Sequence, residues 1–168
     1  MPAATTLLPS PVDTLLKEQT PKSSSHPDHL HQLALQILHN LQHQHRWTQL
    51  KIHTEALEGG TPLPRPMISG LPPKRLYMHP DEQAYHLKQQ AQTGITERDD
   101  EDEVNPLEKP IREWVLPTHL KEKWTLGRFA EVFDALDWSS GSEEKPWEAH
   151  KRVVLATLQD DSSIVYYV

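Results

Sequence analysis

Val153-Val154-Leu155-Ala156-Thr157-Leu158-Gln159-Asp160-Asp161-Ser162-Ser163-Ile164-Val165-Tyr166-Tyr167-Val168 decides the fold. The first run, Arg152 to Leu158, is apolar on both faces, which predicts a strand buried from two sides and therefore central in a sheet. Asp160 to Ser163 is turn chemistry, because short polar side chains bond their own backbone and tolerate unusual dihedrals. Ile164 to Val168 then returns as the second strand of a hairpin. It brings no polar cap of its own, so this last segment reads either as a strand that pairs with another chain or as part of a truncated sequence.

Working back from the hairpin, Ile111 to Val168 holds four of the five Trp and both Phe. The bulk of the aromatic burial is therefore expected there. Thr125 is a helix cap, with an apolar stripe of Leu126, Phe129, Val132, Phe133 and Leu136 in a helix running to about Asp137. Arg112 to Leu116 reads as a short strand stopped by Pro117. Farther upstream, Leu30, Leu33, Ala34, Ile37, Leu38 and Leu41 recur at helical spacing from Asp28 onward. Trp47 to Thr54 alternates as a half-buried strand, with Thr48, Leu50 and Ile52 on one face and Trp47, Gln49, Lys51 and His53 on the other. The stretch from Thr61 to Pro80 has six prolines. It is expected as extended chain or an edge strand rather than a central one, since proline lacks a ladder donor.

The predicted order of helix, strand, insertion, strand, helix, strand and strand implies an α+β domain with helices packed on one small mixed sheet. Residues 1–27, with five prolines and a serine run, read as a disordered N-terminal tail, and residues 28–168 as one domain. That domain is interrupted at about 81–110 by a disordered, Gln-rich and acidic insertion, with only a weak helical tendency near Gln83 to Gln92.

Net charge is −7 over 168 residues, but Glu97 to Glu103 contributes six acids and one Arg. The remaining body is near neutral, which argues against unaided gripping of nucleic acid, because phosphate affinity comes from clustered Lys and Arg. The chain contains no Cys, so disulfides and thiolate metal sites are excluded. The first residues lack a charged n-region and are broken by prolines, so they do not form a convincing secretion signal, and the protein reads as soluble and intracellular.

Six of the eleven histidines fall between His26 and His45, with His39 and His43 one helical turn apart. Two imidazoles without further ligands rarely hold a metal, and His31, His39, His43 and His45 fall mainly off the Leu stripe. Neither a cofactor nor a metal is expected. Metal-free RNA cleavage needs groups for proton transfer and a cation for the developing charge. Tyr77, His79 and Lys74 meet that inventory and define the alternative reading, a standalone ribonuclease, although nothing in their spacing makes them converge. Phosphate-binding, nucleophile-elbow and zincin motifs are absent.

The blocks Arg112-Glu113-Trp114-Val115-Leu116-Pro117, Trp124-Thr125-Leu126 through Phe133, and the quoted hairpin resemble the smallest subunit of the eukaryotic tRNA-splicing endonuclease, the Sen-fifteen type. Trp47-Thr48 and Gly70-Leu71-Pro72-Pro73-Lys74-Arg75-Leu76 resemble it in the same order. The resemblance implies a fold like the C-terminal domain of tRNA intron endonucleases. It also implies a non-catalytic structural subunit of a heterotetramer that removes introns from precursor tRNA. Its partner would be the catalytic subunit that cuts the 3′ splice site, joined to the remaining subunits, with precursor tRNA contacted indirectly and a homodimer formed in isolation. Members of the family continue past the position of Val168 with a completed strand, a glycine-containing turn and a basic tail. The nucleus is the expected address, with the cytosolic face of mitochondria as alternative. The expected partner interface is Asp160, Asp161, Ile164, Val165, Tyr166, Tyr167 and Val168: an open apolar edge for strand pairing, beside two acids offered to a basic pocket.

Overall fold

The quoted hairpin forms the far side of a five-stranded sheet in the computed structural model, which describes residues 26–56, 60–93, 109–136, 138, 147 and 151–168. In chain order the elements are α1 (Asp28–His43), β1 (Thr48–Glu55), β2 (Pro62–Leu71), α2 (Pro80–Thr93), β3 (Glu113–His119), α3 (Leu126–Ala135), β4 (Val154–Leu158) and β5 (Ile164–Tyr167). Strand order follows chain order, β1-β2-β3-β4-β5. Only β3 and β4 run parallel, so the sheet is mixed and the fold is α+β as expected. A parallel pair requires a crossover, and the segment containing α3 supplies it.

The alternation of each strand sends side chains to two separate cores. On one face Ile68, Val115, Val154, Ala156 and Leu158 meet Leu33, Ala34, Ile37 and Leu41 of α1, with Trp47. On the other, Leu63, Met67 and Leu116 meet Val132 and Leu136 at α3. Ile37, Leu41, Ile68 and Val115 are fully buried, each removal from water contributing about 1.5–3 kcal/mol. Helix α1 starts without a side-chain cap at Pro27, though Asp28 in its first turn complements the dipole. Thr125 does cap α3, its Oγ1 accepting from the Arg128 amide at 3.3 Å.

Several expectations are corrected. β2 is an interior strand, hydrogen-bonded to both β1 and β3, although it carries three prolines. The register explains it: β3 ladders to Ile68, Ser69 and Gly70 alone, beyond Pro62, Pro64 and Pro66. Likewise β3 runs through Pro117, which stands past Val115, the last β3 residue paired with β2. In β1 a register shift lies between Thr48 and Lys51, and Arg46 and Gln49 adopt φ of 57° and 51°. That bulge breaks strict alternation, so Trp47 packs in the same core as Leu50 and Ile52. His53 is buried rather than solvated, its Nε2 2.9 Å from Ser69 Oγ, and burial lowers its pKa. His31, placed off the Leu stripe by its spacing, is buried as well. Leu126 does not join the α3 stripe; it is 89% exposed. A helix, α2, occupies Pro80–Thr93 within the stretch read as an insertion, while residues 94–108 and the tail up to residue 25 lie outside the described residues.

Candidate assembly interface

The β4–β5 hairpin is built from local turn chemistry outward. Gln159 and Ser163 close the loop, with Gln159 N–H donating to the Ser163 carbonyl at 2.9 Å. Ser162 N–H donates to the Gln159 carbonyl at 3.0 Å, and Ser162 takes φ of 67°. This is a three-residue hairpin loop that ends on a left-handed residue, an arrangement that fixes register. The pairs Leu158↔Ile164, Thr157↔Val165, Ala156↔Tyr166 and Leu155↔Tyr167 follow. β5 therefore has β4 on one side and, among the described residues, no strand on the other.

The seven predicted interface residues divide by period. Ile164 and Tyr166 face α1 and pack against its core. The Tyr166 hydroxyl donates to Asn40 Oδ1 at 2.7 Å, its ring meets His45 edge-on at 4.9 Å, and burial pushes the phenol pKa upward. Val165 lies on the opposite, half-open face with Tyr167, which is 58% exposed, and Val168 is exposed too. The strand thus presents free backbone groups and an apolar face while keeping its other face for its own core.

The two acids have intrachain partners. Asp160 pairs with Lys121 and lies 3.3 Å from His119 Nε2, and the Lys121 contact holds its carboxyl below the ordinary value. Asp161 Oδ1 accepts from the Ser163 amide at 3.0 Å and hydroxyl at 2.6 Å, which holds its carboxyl low as well. Both are solvent-facing, so these bonds orient the turn more than they stabilise the fold. Asn40, His119 and Lys121 were not singled out by sequence reasoning. Their roles arise only when α1 and the β3–α3 connection meet the hairpin, a relation that no local pattern carries.

The sheet's other edge differs. β1 has register shifts at two places, left-handed backbone at Gln49 and an exposed Lys51 in its middle. Arg112 Nη1 donates to the Gln49 carbonyl at 3.2 Å and to Ser69 Oγ at 3.1 Å. Bulges and a lysine are the usual means of discouraging strand addition.

The residues of the alternative catalytic trio have contacts of their own. The Tyr77 ring lies 4.8 Å from the Arg152 guanidinium, and the Tyr77 carbonyl accepts from Arg75 Nε at 3.0 Å. His79 Nδ1 accepts from the Asp81 amide at 3.2 Å at the start of α2. Lys74 is exposed in the bend after β2. Beneath Tyr77, Arg152 pairs with buried Glu113, and Arg75 with Glu82 at 2.5 Å. Burial raises the Glu113 pKa against the opposing pull of Arg152 and Arg75. The His39 and His43 rings stand 4.3 Å apart, and no group of three metal-ligating side chains occurs among the described residues. Nor is any described helix long and apolar enough to cross a membrane.

Comparison with known proteins covers most of the chain. The family model described as Sen15 protein matches residues 36–168, which takes in every strand and the whole hairpin. A curated relative from Neurospora crassa, named probable tRNA-splicing endonuclease subunit tsp-1, is 41% identical over 152 residues. That alignment takes in 83% of this chain and 62% of the relative, so the chain spans less than two thirds of the relative's length. With the match running from the middle of α1 through the last residue of β5, the chain belongs to the Sen15 protein family.

Proposed function

We propose that this chain is a non-catalytic structural subunit of the tRNA-splicing endonuclease, supporting cleavage of precursor tRNA by pairing through β5 with the catalytic subunit. The observation that carries the reading is the contrast between the two sheet edges. β1 is bulged and carries a lysine, whereas β5 offers regular backbone with Val165 and Tyr167 on its open face. Strand addition at such an edge satisfies backbone groups and removes apolar surface from water. The relative's name, a tRNA-splicing endonuclease subunit, supports the reaction to which that edge would contribute. The separate engagement of Tyr77 and His79 supports leaving bond cleavage to the partner.

The test is replacement of Val165 and Tyr167 by Lys in the full chain, followed by copurification from its native cell. Both side chains point away from the α1 core, so the variant is expected to fold and to lose the endonuclease subunits. Complexes recovered intact would refute the edge assignment. Cleavage of precursor tRNA by the purified wild-type chain alone would refute the non-catalytic role.

A further inference from the structure

β5 is four residues long and, among the described residues, has a single neighbouring strand, so one ladder holds its backbone. A strand so placed frays, and a frayed edge must be ordered again before another chain can pair with it. One side chain counters this. Tyr166 reaches from the middle of β5 to Asn40 in the last turn of α1, a contact spanning 126 residues of sequence. Asn40 is itself fixed, because its carbonyl accepts the Gln44 amide at 2.9 Å and the His45 amide at 3.3 Å where the helix ends. His45, set in place by the same turn, meets the Tyr166 ring edge-on.

We infer that Asn40 and His45 clamp Tyr166 and so hold the β5 edge in its pairing-ready register, making Tyr166 a positioning residue for assembly rather than a contact with the partner. The inference rests on the proposed pairing through β5. It assigns to α1, which packs on one face of the sheet, a part in partner affinity. It also separates the apolar residues of β5 into Ile164 and Tyr166, which hold the strand, and Val165 and Tyr167, which meet the partner.

The test uses the full chain with Tyr166→Phe, Asn40→Leu and Asn40→Asp. The first two remove one partner of the hydrogen bond, while Asp keeps an acceptor in the same place. Loss of one such bond is expected to speed amide exchange in β5 roughly fivefold. Exchange in β2 and in the first turns of α1 stays unchanged. Recovery of endonuclease subunits by the tagged chain falls in step, and Asn40→Asp restores both readouts. Unchanged β5 exchange in Tyr166→Phe, or equally faster exchange and equal loss of recovery in Asn40→Asp and Asn40→Leu, overturns the clamp. If the wild-type chain recovers no endonuclease subunit, the assembly reading fails instead, and the exchange data still decide whether the clamp exists.

Discussion

Replacing Arg152 by Met isolates the cost of a buried carboxylate. Glu113 is the first residue of β3 and its side chain is 5% exposed, whereas that of Arg152 is 28% exposed. For Glu113 burial outweighs the attraction of its cationic neighbours, since its pKa is raised despite the guanidinium beside it. Removing one member of a buried pair costs about 3–5 kcal/mol. Partial hydration at Arg152 and the remaining charge of Arg75 place this case at the low end, about 3 kcal/mol at pH 7. With a urea dependence of about 2 kcal/mol per molar, the unfolding midpoint drops by about 1.5 M. The double variant Glu113→Met with Arg152→Met, which buries no charge, stays within about 1 kcal/mol of wild type. The pH dependence has a definite sign. A carboxyl whose folded pKa exceeds the unfolded 4.5 destabilises above that folded pKa, and the penalty fades as pH falls toward 4.5. The gap between Arg152→Met and wild type therefore narrows on acidification. A single variant within 1 kcal/mol of wild type at pH 7, or a double variant no better than the single, would refute the reasoning.

Gly70→Ala places a Cβ 2.6 Å from Leu50 Cδ2 and 3.0 Å from Trp47 Cε3, and overpacking of this kind costs about 1–2 kcal/mol in urea unfolding. Trimming Leu50 to Ala in the same chain costs less than it does alone, a non-additivity that a double-mutant cycle reads directly; simple additivity counts against the close approach of β1 and β2. His53 contributes a pH slope of opposite sense to that of Glu113. Burial lowers its pKa, with Lys51 and Arg112 adding to the effect, so its stabilising contribution is complete above the unfolded 6.5 and is lost as pH falls through the folded value. His53→Gln should flatten the fall in urea midpoint between pH 7.5 and 5.5, and an unchanged slope would exonerate this imidazole.

What the sequence made legible was whatever depends on neighbours a few residues away. The α1 stripe, the Thr125 cap and the β4–β5 hairpin were all readable because spacing, capping and turn chemistry are local. The failures share a different cause. Pro62, Pro64 and Pro66 argue against an interior strand only if they stand where two ladders run, and the register that exempts them is set by a strand more than forty residues later. Trp47 changed face because a bulge at Gln49, a residue with no glycine-like signature, reverses the alternation. At the candidate interface the turn and both strands could be read, but the partners of Asp160 and Tyr166 could not. Lys121 and Asn40 reach them across the fold, and the identity of either residue alone says nothing about which strand it will meet.

The unequal edges of the sheet set a valence. A molecule with one adhesive border can be capped by a single neighbour, and growth then stops; two adhesive borders would permit end-to-end polymerisation into fibres. Under the proposed pairing through β5, the left-handed backbone at Gln49 in β1, with Arg46 just before the strand, would serve as a chain terminator. If β5 pairs as proposed, straightening these two positions would open a second border to end-to-end growth.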